Sequence, residues 1–152
     1  LARFEASVVT TLVTATANAP LVAIRVPATE RAAILEMGIT TTGTAAATQL
    51  GIVRATTVSG TPAATVLGQN VIPGAPASGT LLVPAWTTAP VLGASYLRRV
   101  SLPSAVGAGV IWSWPADRPL VVGQGSAIAE IVIANLVALA PMTFQLYLIW
   151  ED

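Results

Sequence analysis

The sequence contains no histidine, no cysteine and no lysine, and only 9% of its 152 residues are charged. Each absence excludes something. Without histidine or cysteine there is no Ser-His-Asp triad, no thiolate nucleophile, no disulfide and no zinc site built on imidazole or thiolate. Without lysine there is no Schiff base. No GxxxxGK[ST] run is present, and Gly107-Ala-Gly109 lacks the third glycine and the helical segment of a dinucleotide fingerprint. Asn18, Asn70 and Asn135 all lack a hydroxyl two residues on, so no N-glycosylation acceptor exists. Charge is missing regionally too, with no charged residue between Arg54 and Arg98. Aromatics make up only 5%.

What remains is packing material, for 54% of the residues are hydrophobic. A chain of this size is expected to form one domain, here 1–152, and can bury roughly 68–70% of its unfolded surface without staples. The 7 basic residues are all arginine and balance 7 carboxylates. A neutral chain without a basic cluster offers no electrostatic footprint for nucleic acid or anionic lipid. Two explanations of the arginine bias stand side by side: GC-rich codons, and the suitability of a planar guanidinium for interface ion pairs. This much apolar surface exceeds what a small monomer hides, which points to a subunit of an assembly.

The carboxylates do not make a catalytic pair. Glu30 lies beside Arg31 in an expected turn while Glu36 lies mid-strand, and a glycosidase needs two carboxyls across an aromatic-lined groove. Asp117, Glu151 and Asp152 follow no calcium-loop pattern. The expectation is therefore no enzyme, no cofactor and no metal.

Residues 131–150 are uncharged and long enough to cross a bilayer. Pro141, Asn135 and Gln145 interrupt them, and no Lys or Arg flanks either end. From Met142 onward Phe144, Leu146, Leu148 and Trp150 alternate with Thr143, Gln145, Tyr147 and Ile149, the period of a strand. Two strands joined by a turn at 138–141 are expected rather than a membrane span. Arg3 and Glu5 ahead of a Thr-rich run do not read as a signal peptide.

Short β-branched runs bounded by Pro and Gly recur along the chain, the pattern of a β-sandwich or barrel with little or no helix. Strands are expected over residues 4–11, 21–26, 32–41, 48–56, 65–68, 80–86, 96–102, 109–114, 120–122, 127–134 and 142–151. In the third run Leu35, Met37 and Ile39 oppose Ile34, Glu36 and Gly38. In 126–132, Ile128, Glu130 and Val132 oppose Ala127, Ala129 and Ile131. Several strands are apolar on both faces, so neighbouring subunits are expected to cover part of an outer face. Residues 59–79, with Pro62, Pro73 and Pro76, read as a long Gly/Pro-rich loop across one end and a candidate contact element.

Candidate interface residues follow. Trp112 and Trp114 share one strand face, as core or as interface anchors. Trp86 ends a strand and caps the sandwich or anchors a loop. Arg98 and Arg99 point to opposite faces, so one needs a buried partner such as Glu36 or Glu130, across an interface or within the sandwich. Val71, Ile72 and Leu82, in the charge-free stretch, are expected to lie against a neighbour. Trp86, Trp112 and Trp114, if exposed, also fit a carbohydrate-binding sandwich.

The run Tyr96-Leu-Arg-Arg-Val-Ser-Leu-Pro103, with Gly107-Ala-Gly-Val-Ile-Trp112, Pro119-Leu-Val-Val122, Ala32-Ala-Ile-Leu-Glu-Met-Gly-Ile-Thr40 and Leu148-Ile-Trp-Glu-Asp152, resembles small virion proteins of tailed bacteriophages. The resemblance implies a capsid decoration, or cement, protein: an antiparallel jelly-roll sandwich of about 8–10 strands. It also implies a homotrimer bound to the major capsid protein where capsomers meet, on the outer capsid surface of a virion assembled in the host cytoplasm. No catalytic residues come with it. A head-fibre base, a tail tube subunit or an adaptor is the alternative within the same class.

Overall fold

The computed structural model describes residues 2–10, 13–43 and 46–152. Strand periodicity dominates. In β1 (Arg3–Val9) Phe4, Ala6 and Val8 turn inward while Arg3, Glu5, Ser7 and Val9 face solvent. In β13 (Leu139–Glu151) Phe144, Leu146, Leu148 and Trp150 are fully buried, as their alternation predicts. Between them lie β2 (Val13–Ala15), β3 (Ala19–Val26), β4 (Arg31–Thr42), β5 (Thr48–Thr57), β6 (Pro62–Leu67), β7 (Gln69–Asn70), β8 (Leu81–Trp86), β9 (Val91–Leu102), β10 (Gly109–Ser113), β11 (Leu120–Gly123) and β12 (Ala129–Asn135). There is no helix among the described residues, and so none long and apolar enough to cross a membrane.

Two antiparallel sheets form. The first runs β10-β4-β13-β1-β7, with β11 also on β4 and β2 on β13; the second runs β6-β8-β3-β12-β5-β9. With β2, β6, β7, β8 and β11 set aside, the other strands nest as antiparallel pairs: β1 with β13, β3 with β12, β4 with β10, β5 with β9. This is one long hairpin rolled up so that successive pairs fall in alternate sheets, which is the jelly roll. Between the sheets lies the main core, which includes Ile24, Ile34, Met37, Leu50, Ile133, Phe144 and Trp150. Phe4 and Trp150 stack there with ring centroids 5.7 Å apart. Burying each such side chain stabilises the fold by roughly 1.5–3 kcal/mol.

Every expected strand is present with shifted ends, except that Thr11, at the end of the first run, lies outside the described residues. Residues 131–150 do split into two strands, but the break falls at 136–138, and β12 and β13 belong to different sheets. Pro141 sits at the register shift between Leu139 and Met142, where a missing N–H is tolerated. In β4, a bulge opposite Ile149 and Trp150 pushes Leu35 out of phase. Ile34 therefore joins Met37 and Ile39 in the core, contrary to the simple alternation.

Residues 59–79 are not one loop. They carry β6 and β7, and the whole run between β5 and β9 is an insertion that widens both sheets, β8 pairing with β3 and β7 with β1. On leaving β5 the chain crosses the outer face of the second sheet, where Ser59 meets Arg25 of β3 and Glu130 of β12. Residues 87–90 return beside it, through Gly60 N to Thr88 O (2.9 Å) and Thr87 N to Thr61 O (3.0 Å). Under this double strap lies a second core of Ala23, Val53, Val83, Val132 and Ala134, packed by Trp86, Leu92 and Tyr96. The chain thus covers part of the outer face of its own second sheet.

Candidate interaction surfaces

The outer face of the first sheet is the less covered one. Its outward residues form cross-strand rows: Ser7, Tyr147, Gly38 and Ile111 in the middle, Val9, Gln145, Thr40 and Gly109 on one side, Glu5, Ile149, Glu36 and Ser113 on the other. Tyr147 lies flat across Gly38, where a β-carbon would run into its ring. Depressions of about 390 Å³ and 450 Å³ flank that ring, one lined by Glu5, Ser7 and Ile149, the other by Thr40, Gly109 and Ile111. Ile111 and Val9 are exposed apolar residues on this face. It is a shallow, mixed surface suited to contact.

The Tyr147 hydroxyl donates to Glu36 Oε1 at 2.6 Å. That bond to a carboxylate, followed by burial and by the Glu36 charge, pushes the phenol up to about 12 from 10.0. Because the folded value lies above the unfolded one, the contribution of this group is full below pH 10 and lost as pH rises through about 12. Phenolate absorbance titration of Glu36→Gln should show Tyr147 ionising at lower pH, with Tyr96 unmoved. An unchanged Tyr147 would show that Glu36 is not the cause.

A charged node lies beneath the strap. Arg25 Nη1 is 3.1 Å from Glu130 Oε1, 2.9 Å from Ser59 O, 3.0 Å from Ser59 Oγ and 3.1 Å from Gly60 O. Ser59 N donates to Glu130 Oε2 at 2.7 Å, and Ser59 Oγ donates to Glu130 Oε1. The Glu130 side chain is 0% exposed. The node joins strap to sheet, through Arg25 Nη1 and both carboxylate oxygens of Glu130. Among the described residues no group of three or more acidic side chains is placed to hold a metal ion.

The candidate residues from the sequence are scattered. Leu82 is fully buried in the main core, and Trp112 is 8% exposed and packs there too. Trp114 is half-buried against that core, and Trp86 is half-buried over the second core. Val71 and Ile72 are exposed at 48% and 63%. They project from a fixed turn, with Val71 N bonded to Arg3 O (3.1 Å) and Ile72 N to Asn70 Oδ1 (2.8 Å). Leu67, at the end of β6, is also exposed, at 52%.

Arg98 and Arg99 are both exposed, so neither is buried within the sandwich. β9 is an edge strand, and a register shift leaves Leu97 unpaired between Tyr96 and Arg98. An inward-facing residue at that edge still reaches solvent: Arg98 lies 6.0 Å from the Trp114 ring centroid and Arg99 lies 4.9 Å from that of Tyr96. Glu130, one proposed partner, belongs to Arg25, and Glu36, the other, to Tyr147. Sequence reasoning missed Arg25. Its signal was present, since Arg25 is the one charge within the apolar run 19–26.

No family model matches the chain, and no curated protein matches it. Among solved structures, the virus-like particle of the extra small virus of the giant freshwater prawn Macrobrachium rosenbergii is similar at 10% identity and a TM-score of 0.34. The match covers 99% of this chain and 80% of that one. Infectious bursal disease virus, Gx strain, is similar at 16% identity and a TM-score of 0.10, over 98% of this chain and 38% of that one. The jelly-roll assignment rests on the strand order.

Proposed function

We propose that this chain is a structural virion protein that decorates the outer surface of a tailed-phage capsid. It binds as a trimer where major-capsid subunits meet and reinforces the shell. The rolled-hairpin strand order supports this reading most, because jelly rolls recur in viral shell domains, lectins and cupins. The other two uses fit less well. The space between the sheets, where a cupin holds its ligand, is filled by Trp150, Phe144, Met37 and Ile24. A lectin presents aromatics to solvent, whereas of Trp86, Trp112 and Trp114 the second is buried and the other two are half-buried against the cores. The phage resemblance of the Tyr96–Pro103 run and its companions adds the capsid and the trimer.

Val71 and Ile72 form the apolar element we assign to the shell contact, since adjacent large apolar side chains are held at the surface there by a fixed turn. Val71→Asp with Ile72→Asp should abolish co-sedimentation with expanded capsids and leave the thermal transition unchanged, because both side chains are exposed. Leu82→Asp should instead prevent folding, because position 82 is inside the core. Sedimentation velocity of the wild-type chain should give a trimer. A stable monomer at micromolar concentration that ignores capsids overturns the reading. Antibody labelling in electron micrographs that marks tails rather than heads transfers the protein to the tail.

A further inference from the structure

We infer that the depression beside Arg99, on the outer face of the second sheet, is a docking site for an aspartate or glutamate side chain of a partner protein. The partner's identity rests on the capsid-binding reading above, while the site itself rests on geometry. The depression measures about 520 Å³ and is lined by Asn18, Pro20, Pro90, Leu92, Tyr96 and Arg99, with Gly93 and Ala94 completing its floor. It contains one charge, and that charge is positive.

Three contacts build it in advance of any ligand. Tyr96 lies flat on the sheet because position 51 is glycine, where a β-carbon would meet the ring and the Arg98 carbonyl. The Tyr96 hydroxyl donates to Asn18 Oδ1 at 3.2 Å, so the bond uses the amide's acceptor and not its Nδ2 donors. Asn18 is itself fixed: its N donates to Asn135 O at 2.8 Å, and its φ of 58° lies in the left-handed region that asparagine tolerates. Above the ring the Arg99 guanidinium stacks at 4.9 Å from the centroid. Stacking holds the plane of the fork and leaves its edge N–H groups free for a bidentate carboxylate.

Charge selects the ligand. Among the described residues no carboxylate lies within ion-pair distance of Arg99. β9 carries Arg98 and Arg99 and no acid, and residues 55–97 carry no charge at all. Pro20 and Leu92 give apolar walls against which the methylenes of an acidic side chain can lie, with the carboxylate reaching Arg99 and the Asn18 amide. The open, shallow form suits a side chain presented by a second protein surface. Arg98, turned toward Trp114, takes no part.

The test has two arms. In the first, the 15N-labelled wild-type chain is titrated with a blocked Glu-Glu dipeptide, its Gln-Gln analogue and inorganic phosphate. The expected result is saturable shifts at Arg99 Nε, Tyr96 and Asn18 with the acidic dipeptide, absent with the neutral analogue and absent in Arg99→Gln. Equal shifts with the neutral analogue, or none with the acidic one, overturn the site. Tighter binding of phosphate than of the dipeptide overturns it as a protein-docking site and makes it a small-anion site. In the second arm, Arg99→Gln should bind capsids at least about tenfold more weakly than wild type, with Arg98→Gln at wild-type affinity and both variants keeping the wild-type thermal transition. Wild-type affinity in Arg99→Gln overturns this inference and leaves the decoration reading standing. Failure of the wild-type chain to bind capsids defeats the decoration reading, and the dipeptide titration then decides the carboxylate site by itself.

Discussion

Glu130→Ala is expected to cost about 3–5 kcal/mol of folding stability, measured as a lower midpoint in chemical denaturation at unchanged slope. Domains of this size have roughly 5–15 kcal/mol in total, so the loss is a large share. The cause is what the substitution strands. Arg25, 16% exposed at its side chain, keeps a guanidinium whose carboxylate is gone, and Ser59 N loses its acceptor at 2.7 Å. Uncompensated buried groups are dearer than the pair they replace. Arg25→Met combined with Glu130→Leu should therefore lose less than either single change, because both charges leave together. Hydrogen exchange should also accelerate over 58–61 and 87–90 in Glu130→Ala, since the node fastens that strap to the sheet. A loss below about 1 kcal/mol, the scale of a surface pair, would mean that the node is solvated in the folded protein.

Trp150→Ala should be comparably severe, about 3–5 kcal/mol, from the cavity left in a core that cannot fully collapse. Trp150 has no exposure, sits on β13 between β1 and β4, and stacks on Phe4. Its Nε1 donates to Ser78 Oγ at 3.2 Å, and Ser78 Oγ also accepts Thr80 N at 3.0 Å and donates to Asp152 Oδ2. The indole thus fastens the segment ahead of β8 as well as filling the core. Trp150→Phe restores most of the volume without the donor, so it should lose clearly less than alanine. Equal losses in the two variants would place the energy in the hydrogen bond and not in packing.

Much of this architecture was legible because a strand with one dry face writes its orientation into the sequence. The alternation of Phe144, Leu146, Leu148 and Trp150 reads directly as an inward face, and so does that of Phe4, Ala6 and Val8. Legibility fails where period two is broken or where both faces are dry. The β4 bulge moves Ile34 into the core, and nothing local in Ile-Leu-Glu-Met announces the extra residue. β12 is buried on both faces, so Glu130 there looked like a free acid seeking Arg98 or Arg99, when its cross-strand neighbour is Arg25. The strap was hidden for a related reason. Residues 59–79 are rich in Gly and Pro, and the short β6 and β7 take their order from partners distant in the chain. Of the candidate surface, Val71 and Ile72 were legible as uncharged loop residues, while the Tyr96–Asn18–Arg99 arrangement needs strands that only the rolled topology brings together.

The nested pairing also sets a timetable. Arg3 and Glu151 face each other although 148 positions separate them, and β13 is the strand between β1 and β4. During synthesis β1 emerges long before β13 and waits, its alternate apolar residues unpaired, until that strand follows. The innermost pair, β5 with β9, can close much earlier, though only across the insertion between them. The first sheet is therefore completed only once β13 is made, and the fold belongs to the slow class governed by loop closure over long separations. That delay is the interval in which unpaired edges of different chains can meet.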